Sequence, residues 1–166
     1  MLSDKIDISA MTIEYARSIS LWKYEGEFSF YDHNERNMEG YMDGTHYACT
    51  DDGELIGYFC FGKDARIPTV ETNVYDDDYL DIGLGLRPDL CGKGYGLPFF
   101  KIGLDYAKGH FQTKKFRLSV AAFNERAIKV YAKAGFEVER EVTNSYFKNK
   151  FIIMTCSNYA LNDKEF

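Results

Sequence analysis

Residues 80–109 read LDIGLGLRPDLCGKGYGLPFFKIGLDYAKG and contain the most informative pattern in the chain. Its first seven residues alternate between apolar positions and aspartate or glycine, which is the period-2 pattern of a β-strand. The strand ends at Arg87-Pro88, because proline has no N–H to donate to a sheet. Apolar residues then recur at helical spacing from Leu97 to Ala107, so a helix follows, and Gly109 is expected to close it. A strand, a glycine-rich turn and a helix are therefore predicted in that order.

The turn between this strand and helix contains three glycines, Gly92, Gly94 and Gly96. A helix N-terminus leaves N–H groups unpaired and carries about half a positive charge, and glycines let a phosphate approach those groups closely. A glycine-rich turn without a ligand is the structural alternative. The P-loop pattern is excluded because Lys93 is followed by glycine, and the dinucleotide fingerprint is excluded because Leu97 stands where its third glycine should be.

Two segments carry a family resemblance. Residues 91–96, CGKGYG, resemble the acetyl-CoA-binding motif of the GNAT N-acetyltransferases, Arg/Gln-x-x-Gly-x-Gly/Ala, and depart from it at Cys91. Residues 124–136, NERAIKVYAKAGF, resemble the family's Asn-x-x-Ala-x-x-x-Tyr-x-x-x-Gly-Phe segment. Two motifs in the family's order, roughly 30 residues apart, are more specific than either alone. The motifs cover residues 80–138, and the rest of the chain matches only in its order of elements.

The resemblance implies a mixed α/β fold, with a mostly antiparallel central sheet and helices on both faces, formed by residues 1–166 as one domain. It also implies acetyl-CoA as co-substrate. Leu84 and Leu86 are expected to pair their backbone groups with the pantetheine arm, and Asn124 to hydrogen-bond it; core packing and helix capping are the structural alternatives. The pyrophosphate is expected to bind the turn residues Cys91, Gly92, Lys93, Gly94, Tyr95 and Gly96.

Acyl transfer to an amine needs a base that accepts the ammonium proton and a donor for the leaving thiolate. The resemblance gives Tyr131 the donor role, and its structural alternative is a buried ring with a bonded hydroxyl. Some family members place a glutamate on the strand before the second motif, but Ser119 stands there. Asp81 is the first choice for the base, because apolar neighbours would raise its pKa; Glu25 and Glu71 are alternatives, and a structural carboxylate is an equal reading of Asp81.

The acceptor is expected to be a primary amine of a small molecule, a peptide or a protein N-terminus. Residues 22–31 are dense in aromatic side chains, which either line the acceptor pocket, together with Glu25 or Glu27, or belong to the core. The alternative function is a non-catalytic domain that binds or senses acyl-CoA. The sequence leaves open which acceptor is used and whether the chain forms a homodimer.

The composition of the chain limits the classes of partner that are expected. A chain of 166 residues, 45% of them hydrophobic, is expected to form one soluble domain, and no apolar run approaches the roughly 20 residues that span a bilayer. The first residues lack the blocks of a signal peptide, so a cytoplasmic protein without a membrane partner is expected. The formal charge of -6 argues against nucleic acid and mildly favours a cationic acceptor, although it also simply favours solubility.

The four cysteines are scattered without a Cys-x-x-Cys pair, so neither a metal site nor a disulfide framework is indicated. Cys91 is expected at the edge of the pyrophosphate site. A helix N-terminus and Lys93 nearby would raise its thiolate fraction, and the alternative is an inert, half-buried thiol.

The remaining elements follow from local patterns. Strands are predicted at 6–9, 46–50, 55–61, 116–122, 136–140 and 146–155, and a turn at 51–53 is expected to join the second and third as a hairpin. Helices are predicted at 13–22, with Thr12 as the N-cap, at 34–41 and between Asn124 and Gly135, with a loop at 63–78.

Overall fold

The computed structural model describes residues 2–32 and 40–160. The elements in chain order are β1 (Ile6–Ala10), α1 (Ile13–Ser20), a 3-10 helix (Gly26–Tyr31), β2 (His46–Asp51), β3 (Glu54–Phe61), β4 (Leu80–Leu86), α2 (Gly96–Phe111), β5 (Phe116–Ala121), α3 (Glu125–Lys133), β6 (Glu137–Thr143) and β7 (Lys150–Cys156). Most of the helix predicted at 34–41 lies outside the described residues. None of the helices in the described ranges combines the length and apolar character that a bilayer crossing requires.

The seven strands form a mixed sheet in the order β1-β2-β3-β4-β5-β7-β6. Strand pairs β1–β2, β2–β3, β5–β7 and β6–β7 are antiparallel. Strands β4 and β5 are parallel, with Leu80 opposite Phe116 and Asp81 opposite Arg117. A parallel pair needs a crossover, which the glycine turn and α2 supply. The expected α/β class with a mostly antiparallel sheet is confirmed.

The first compact unit consists of Met1–Cys60 and Leu84–Phe99. Helix α1 begins after Thr12, whose side chain accepts the N–H of Tyr15 as predicted. The β2–β3 hairpin turns at Asp52 and Gly53, where φ is 50° and 84°, as a two-residue hairpin turn requires. The buried cluster of this unit comprises Met11, Ala16, Ile19, Trp22, Tyr41, Ala48 and Tyr58. Trp22, at the start of the aromatic stretch, therefore belongs to the core.

The second compact unit consists of Phe61–Gly83 and Phe100–Phe166. Phe100 packs between the rings of Tyr131, at a centroid distance of 4.7 Å, and Phe136, at 5.3 Å. Helix α3 begins after Asn124 and ends before Gly135, whose φ of 101° only glycine adopts easily. Both ends of α3 match the prediction.

Gly109 does not close α2, contrary to the prediction. The helix continues to Phe111, and Gln112 takes the left-handed conformation with φ 53°. The ring of Phe111 lies 5.2 Å from that of Phe61, so side-chain packing extends the helix past the glycine. Lys108 and His110 in the last turn also complement the helix dipole.

The last strand begins at Lys150, and not at Tyr146 as predicted. The side-chain oxygen of Asn144 accepts the N–H groups of Tyr146 at 2.9 Å and Phe147 at 3.0 Å. This Asx turn competes with strand pairing. The two rings are exposed, at 78% and 60%, because they belong to the turn.

Candidate functional site

Strand β4 uses one edge to pair with β3. The carbonyl of Asp81 accepts the N–H of Gly62 at 2.9 Å, and the N–H of Arg87 donates to the carbonyl of Ile56 at 2.8 Å. Backbone groups alternate between the two edges of a strand, so the odd-numbered residues of β4 direct their N–H and C=O groups to this edge.

The even-numbered residues of β4 direct their backbone groups to the opposite edge. Leu80 shows this directly, because its N–H donates to the carbonyl of Lys115 at 2.9 Å. By the same alternation, Leu84 and Leu86 point away from β3. An extended chain can bind such groups as an added strand, which is the arrangement expected for the pantetheine arm.

The turn that follows β4 depends on two glycines. Gly92 and Gly94 have φ values of 72° and 86°, in the left-handed region that favours glycine. Lys93 lies between them and is exposed, whereas Cys91 is half-buried, with its thiol directed to the carbonyl oxygen of Leu86 at 3.6 Å. Tyr95 and Gly96 are half-buried, and α2 begins at Gly96. The predicted order of strand, turn and helix N-terminus is confirmed.

Arg87, at the end of β4, is committed to protein groups. Its guanidinium donates to Asp89 at 2.6 and 3.1 Å, to Glu54 at 2.9 Å and to the carbonyl of Leu55 at 2.8 Å. The hydrogen bond to Asp89 raises the pKa of Arg87. Lys93 is therefore the better placed cation for a phosphate.

Gly85 marks a close approach that the sequence reading missed. A Cβ on this residue would lie 2.2 to 2.8 Å from atoms of the Tyr58 ring. A glycine inside a strand often indicates such a contact, so the signal was present. Beside it, the hydroxyl of Tyr24 donates to the carbonyl of Leu86 at 2.9 Å.

Asn124 and Tyr131 lie on one face of α3, because seven residues make nearly two turns. The side chain of Asn124 accepts the N–H of Ala127 at 3.2 Å, which is the capping alternative. Tyr131 is half-buried, and its ring meets that of Phe100 edge-on. Their roles toward the cofactor and the leaving thiolate stay predictions.

Asp81 is buried and hydrogen-bonded to two arginines. Its side chain is 1% exposed, and it accepts from Arg117 through Nε and Nη2, each at 2.7 Å, and from Nε of Arg66 at 2.8 Å. A base must take up a proton, which would remove the buried charge that pairs with Nε and Nη2 of Arg117. The geometry favours the structural alternative over the base, because guanidinium groups hold the carboxylate.

Arg117 links Asp81 to the loop before β4. It donates to the carbonyl of Asp76 at 2.9 Å and to its carboxylate at 3.2 Å, and its guanidinium lies 5.0 Å from the centre of the Tyr75 ring. Burial lowers the pKa of Arg117, but the hydrogen bonds that it donates to Asp81 outweigh this, and the net shift is upward. The hydroxyl of Tyr75 lies 2.6 Å from that of Ser119, so these two side chains are hydrogen-bonded. Ser119, which stands where some family members have a glutamate, therefore contacts a tyrosine and does not serve as a base.

The two alternative bases, Glu71 and Glu25, differ in their surroundings. Glu71 accepts the N–H of Thr143 at 2.8 Å, and this hydrogen bond lowers the pKa of the carboxyl, which makes it a weaker base. Glu25 is exposed and precedes the 3-10 helix, and its carbonyl accepts the N–H of Phe28 at 3.1 Å.

Known proteins share this fold and parts of this sequence. The Escherichia coli K12 spermidine N(1)-acetyltransferase is 36% identical over 64 residues, which cover 39% of this chain and 34% of that protein. The chain thus spans about a third of the length of this relative. The Vibrio cholerae spermidine N-acetyltransferase in complex with CoA and spermine has a TM-score of 0.67 at 18% identity, covering 94% of this chain and 97% of that chain.

A GNAT-family acetyltransferase structure from Bacillus anthracis has a TM-score of 0.70 at 13% identity, and it also covers 94% of this chain and 97% of that chain. At these identities the two structures establish a shared fold. The sequence model of the acetyltransferase (GNAT) family matches residues 13–136, which is most of the chain and includes both motifs. The chain therefore belongs to the acetyltransferase (GNAT) family.

Proposed function

We propose that the protein is an acetyl-CoA-dependent N-acetyltransferase that transfers the acetyl group to a primary amine by direct attack. The observation that carries this proposal is the outer edge of β4 followed by the turn at Gly92 and Gly94 and the start of α2. These features offer an acyl-CoA an edge for its amides and backbone N–H groups for its phosphates. We further propose that residues 1–166 form one catalytic domain in the cytoplasm.

In this proposal the pyrophosphate binds the turn from Cys91 to Gly96, assisted by the exposed Lys93. The pantetheine arm binds the backbone of Leu84 and Leu86. Asn124, whose side-chain oxygen caps α3, is proposed to contact the arm as the family resemblance implies.

The reaction begins with loss of a proton from the ammonium group of the acceptor. The neutral amine attacks the thioester carbonyl carbon, a C–N bond forms, and the C–S bond breaks. The departing thiolate takes a proton from the hydroxyl of Tyr131, and the new amide nitrogen releases its extra proton, which restores that hydroxyl. Glu25 is the remaining sequence candidate for the base, because Asp81 and Glu71 are held by other groups.

For the acceptor we propose a polyamine. The Escherichia coli and Vibrio cholerae relatives are named for spermidine, and the charge of -6 favours a polycation over an anionic acceptor. We also propose that the protein forms a homo-oligomer, because one Vibrio cholerae spermidine N-acetyltransferase structure is dodecameric.

The second candidate is a non-catalytic acyl-CoA-binding domain. It is favoured by one observation, namely that the carboxylate predicted to act as the base, Asp81, is buried between two arginines.

The test is release of CoA thiol from acetyl-CoA with a panel of amines: spermidine, spermine, an aminoglycoside and a peptide with a free N-terminus. We expect turnover with the polyamines. Acetyl-CoA binding by calorimetry without turnover on any amine would favour the binding domain. Gly94→Val is the control, because a valine at φ 86° is strained and shifts the turn, so affinity for acetyl-CoA should fall.

A further inference from the structure

The hydroxyl of Tyr24 lies on the outer edge of β4. It donates to the carbonyl oxygen of Leu86 at 2.9 Å, although 62 residues separate the two in the chain. Leu86 is one of the residues whose backbone groups point away from β3, as the alternation along β4 shows. Tyr24 therefore bonds the strand on the edge proposed for the pantetheine arm.

The backbone of Tyr24 is fixed as well as its hydroxyl. Its N–H donates to the carboxylate of Asp32 at 2.8 Å. This hydrogen bond joins the two ends of the segment that contains the 3-10 helix Gly26–Tyr31. Burial raises the pKa of Tyr24, and the neighbouring Tyr58 and Cys91 add to the shift. The hydroxyl thus keeps its proton and stays a donor.

Two further contacts meet at the same point of β4. The thiol of Cys91, the first residue of the turn, is directed to the carbonyl of Leu86 at 3.6 Å. The ring of Tyr58 occupies the space that a Cβ on Gly85 would need. The end of β4 is therefore supported by Tyr24, Tyr58 and the turn, all within the first compact unit.

We propose that Tyr24 is a positioning residue for acetyl-CoA, because its hydroxyl holds the carbonyl of Leu86 and so fixes the strand edge that the pantetheine arm binds. This inference rests on the proposed function. It assigns Tyr24 to acetyl-CoA binding. From the sequence, residues 22–31 were predicted to line the acceptor pocket or to belong to the core.

The test is Tyr24→Phe, which removes the hydroxyl and keeps the ring. Loss of one hydrogen bond that supports binding should raise the Kd for acetyl-CoA, measured by calorimetry, and its KM by about fivefold. The kcat and the KM for spermidine should change less than about twofold, since Tyr24 touches neither the reacting atoms nor the acceptor in this assignment.

Tyr159→Phe is the matched control. The hydroxyl of Tyr159 donates to Asp105 at 2.7 Å, in the second compact unit, so this variant also loses one tyrosine hydrogen bond. We expect both variants to lower the Tm by similar amounts, and only Tyr24→Phe to raise the Kd for acetyl-CoA. A merely structural role for Tyr24 would lower the Tm without this change in Kd.

The outcomes separate the inference from the proposed function. If the parent protein binds acetyl-CoA and Tyr24→Phe binds it equally well, the inference is wrong and the proposed function stands. A rise confined to the KM for spermidine would also overturn it, since Tyr24 would then serve the acceptor. A parent protein that binds no acetyl-CoA contradicts both. If acetyl-CoA binds but no amine is acetylated, the calorimetric Kd still decides the role of Tyr24.

Discussion

Tyr131 is the residue on which the proposed chemistry depends most. Its ring is held edge-on against Phe100 at 4.7 Å, so removal of the hydroxyl leaves the packing in place. We expect Tyr131→Phe to lower kcat on the order of 100-fold, because the thiolate loses its proton donor, with little change in the Kd for acetyl-CoA. Steady-state kinetics and calorimetry measure the two quantities. Unchanged turnover would make Tyr131 a core residue only.

Cys91 differs from the other cysteines in exposure. It is half-buried in the turn, whereas Cys49, Cys60 and Cys156 are 0%, 3% and 8% exposed. Burial raises the pKa of Cys49 to about 12 and also raises that of Cys156. Iodoacetamide should therefore modify Cys91 fastest, and saturating acetyl-CoA should protect it. Mass spectrometry of the alkylated peptides would refute this if the four thiols reacted equally or if the cofactor gave no protection.

At the scale of elements, α2 extends beyond the glycine that was expected to end it. A Cβ on Gly109 would meet nothing within 4 Å, and the residue lies inside the helix. Gly109→Ala should raise the free energy of unfolding by about 0.5 to 1 kcal/mol, because alanine loses less backbone entropy in a helix. Gly135→Ala is the control: with φ 101° it should destabilise by about 1 to 2 kcal/mol. Urea unfolding decides, and equal effects of the two variants would contradict the assignment of the helix end.

The buried ion pair of Asp81 and Arg117 joins β4 to β5. Asp81→Asn removes the buried charge partner of the Arg117 guanidinium, which is 1% exposed and would then pair with the exposed Asp76, so a loss of about 3 to 5 kcal/mol in unfolding free energy is expected. Asp76→Asn removes the other carboxylate near Arg117, which is 62% exposed, and should cost less than about 1 kcal/mol. Denaturant titration compares the two. An Asp81→Asn protein of parental stability that has lost turnover would restore Asp81 as the base.

At the scale of the whole molecule, several carboxyl groups couple stability to pH. Burial raises the pKa of Asp43, but hydrogen bonds from Thr45 and His46 outweigh this effect, and the net pKa is lowered. Hydrogen bonds from Ser3 lower the pKa of Asp51, and a hydrogen bond from Arg87 lowers the pKa of Asp89. A lowered folded-state pKa gives stability that is fully present above the unfolded value of about 4 and is lost as pH falls through the folded value.

We therefore expect a Tm that is level from pH 7 to about 5 and falls below about pH 4. Differential scanning calorimetry across this range measures it. In Asp43→Asn the fall should be shallower, because one of the coupled groups is absent. A Tm that is equal at pH 6 and pH 3 would contradict the linkage.

The sequence by itself determined the elements whose signals are local. Alternation marks β4, Thr12 and Asn124 mark two helix starts, and Asp52-Gly53 marks a hairpin, because each depends on residues a few positions apart. Motif spacing likewise located the glycine turn and α3, which gave the family. The end of α2 and the start of β7 were missed because Phe111 packing and the Asn144 turn overrode the local patterns.

The contacts of the polar side chains depend on how distant parts of the chain meet. The partners of Asp81 lie 15 and 36 residues away in the chain, and the partner of Tyr24 lies 62 residues away. Periodicity carries no information on contacts at such separations, because they depend on strand order and register. Folding therefore places the first choice for the base, Asp81, in a buried pair with Arg117. It also brought a tyrosine from the aromatic stretch onto the strand edge proposed for the cofactor.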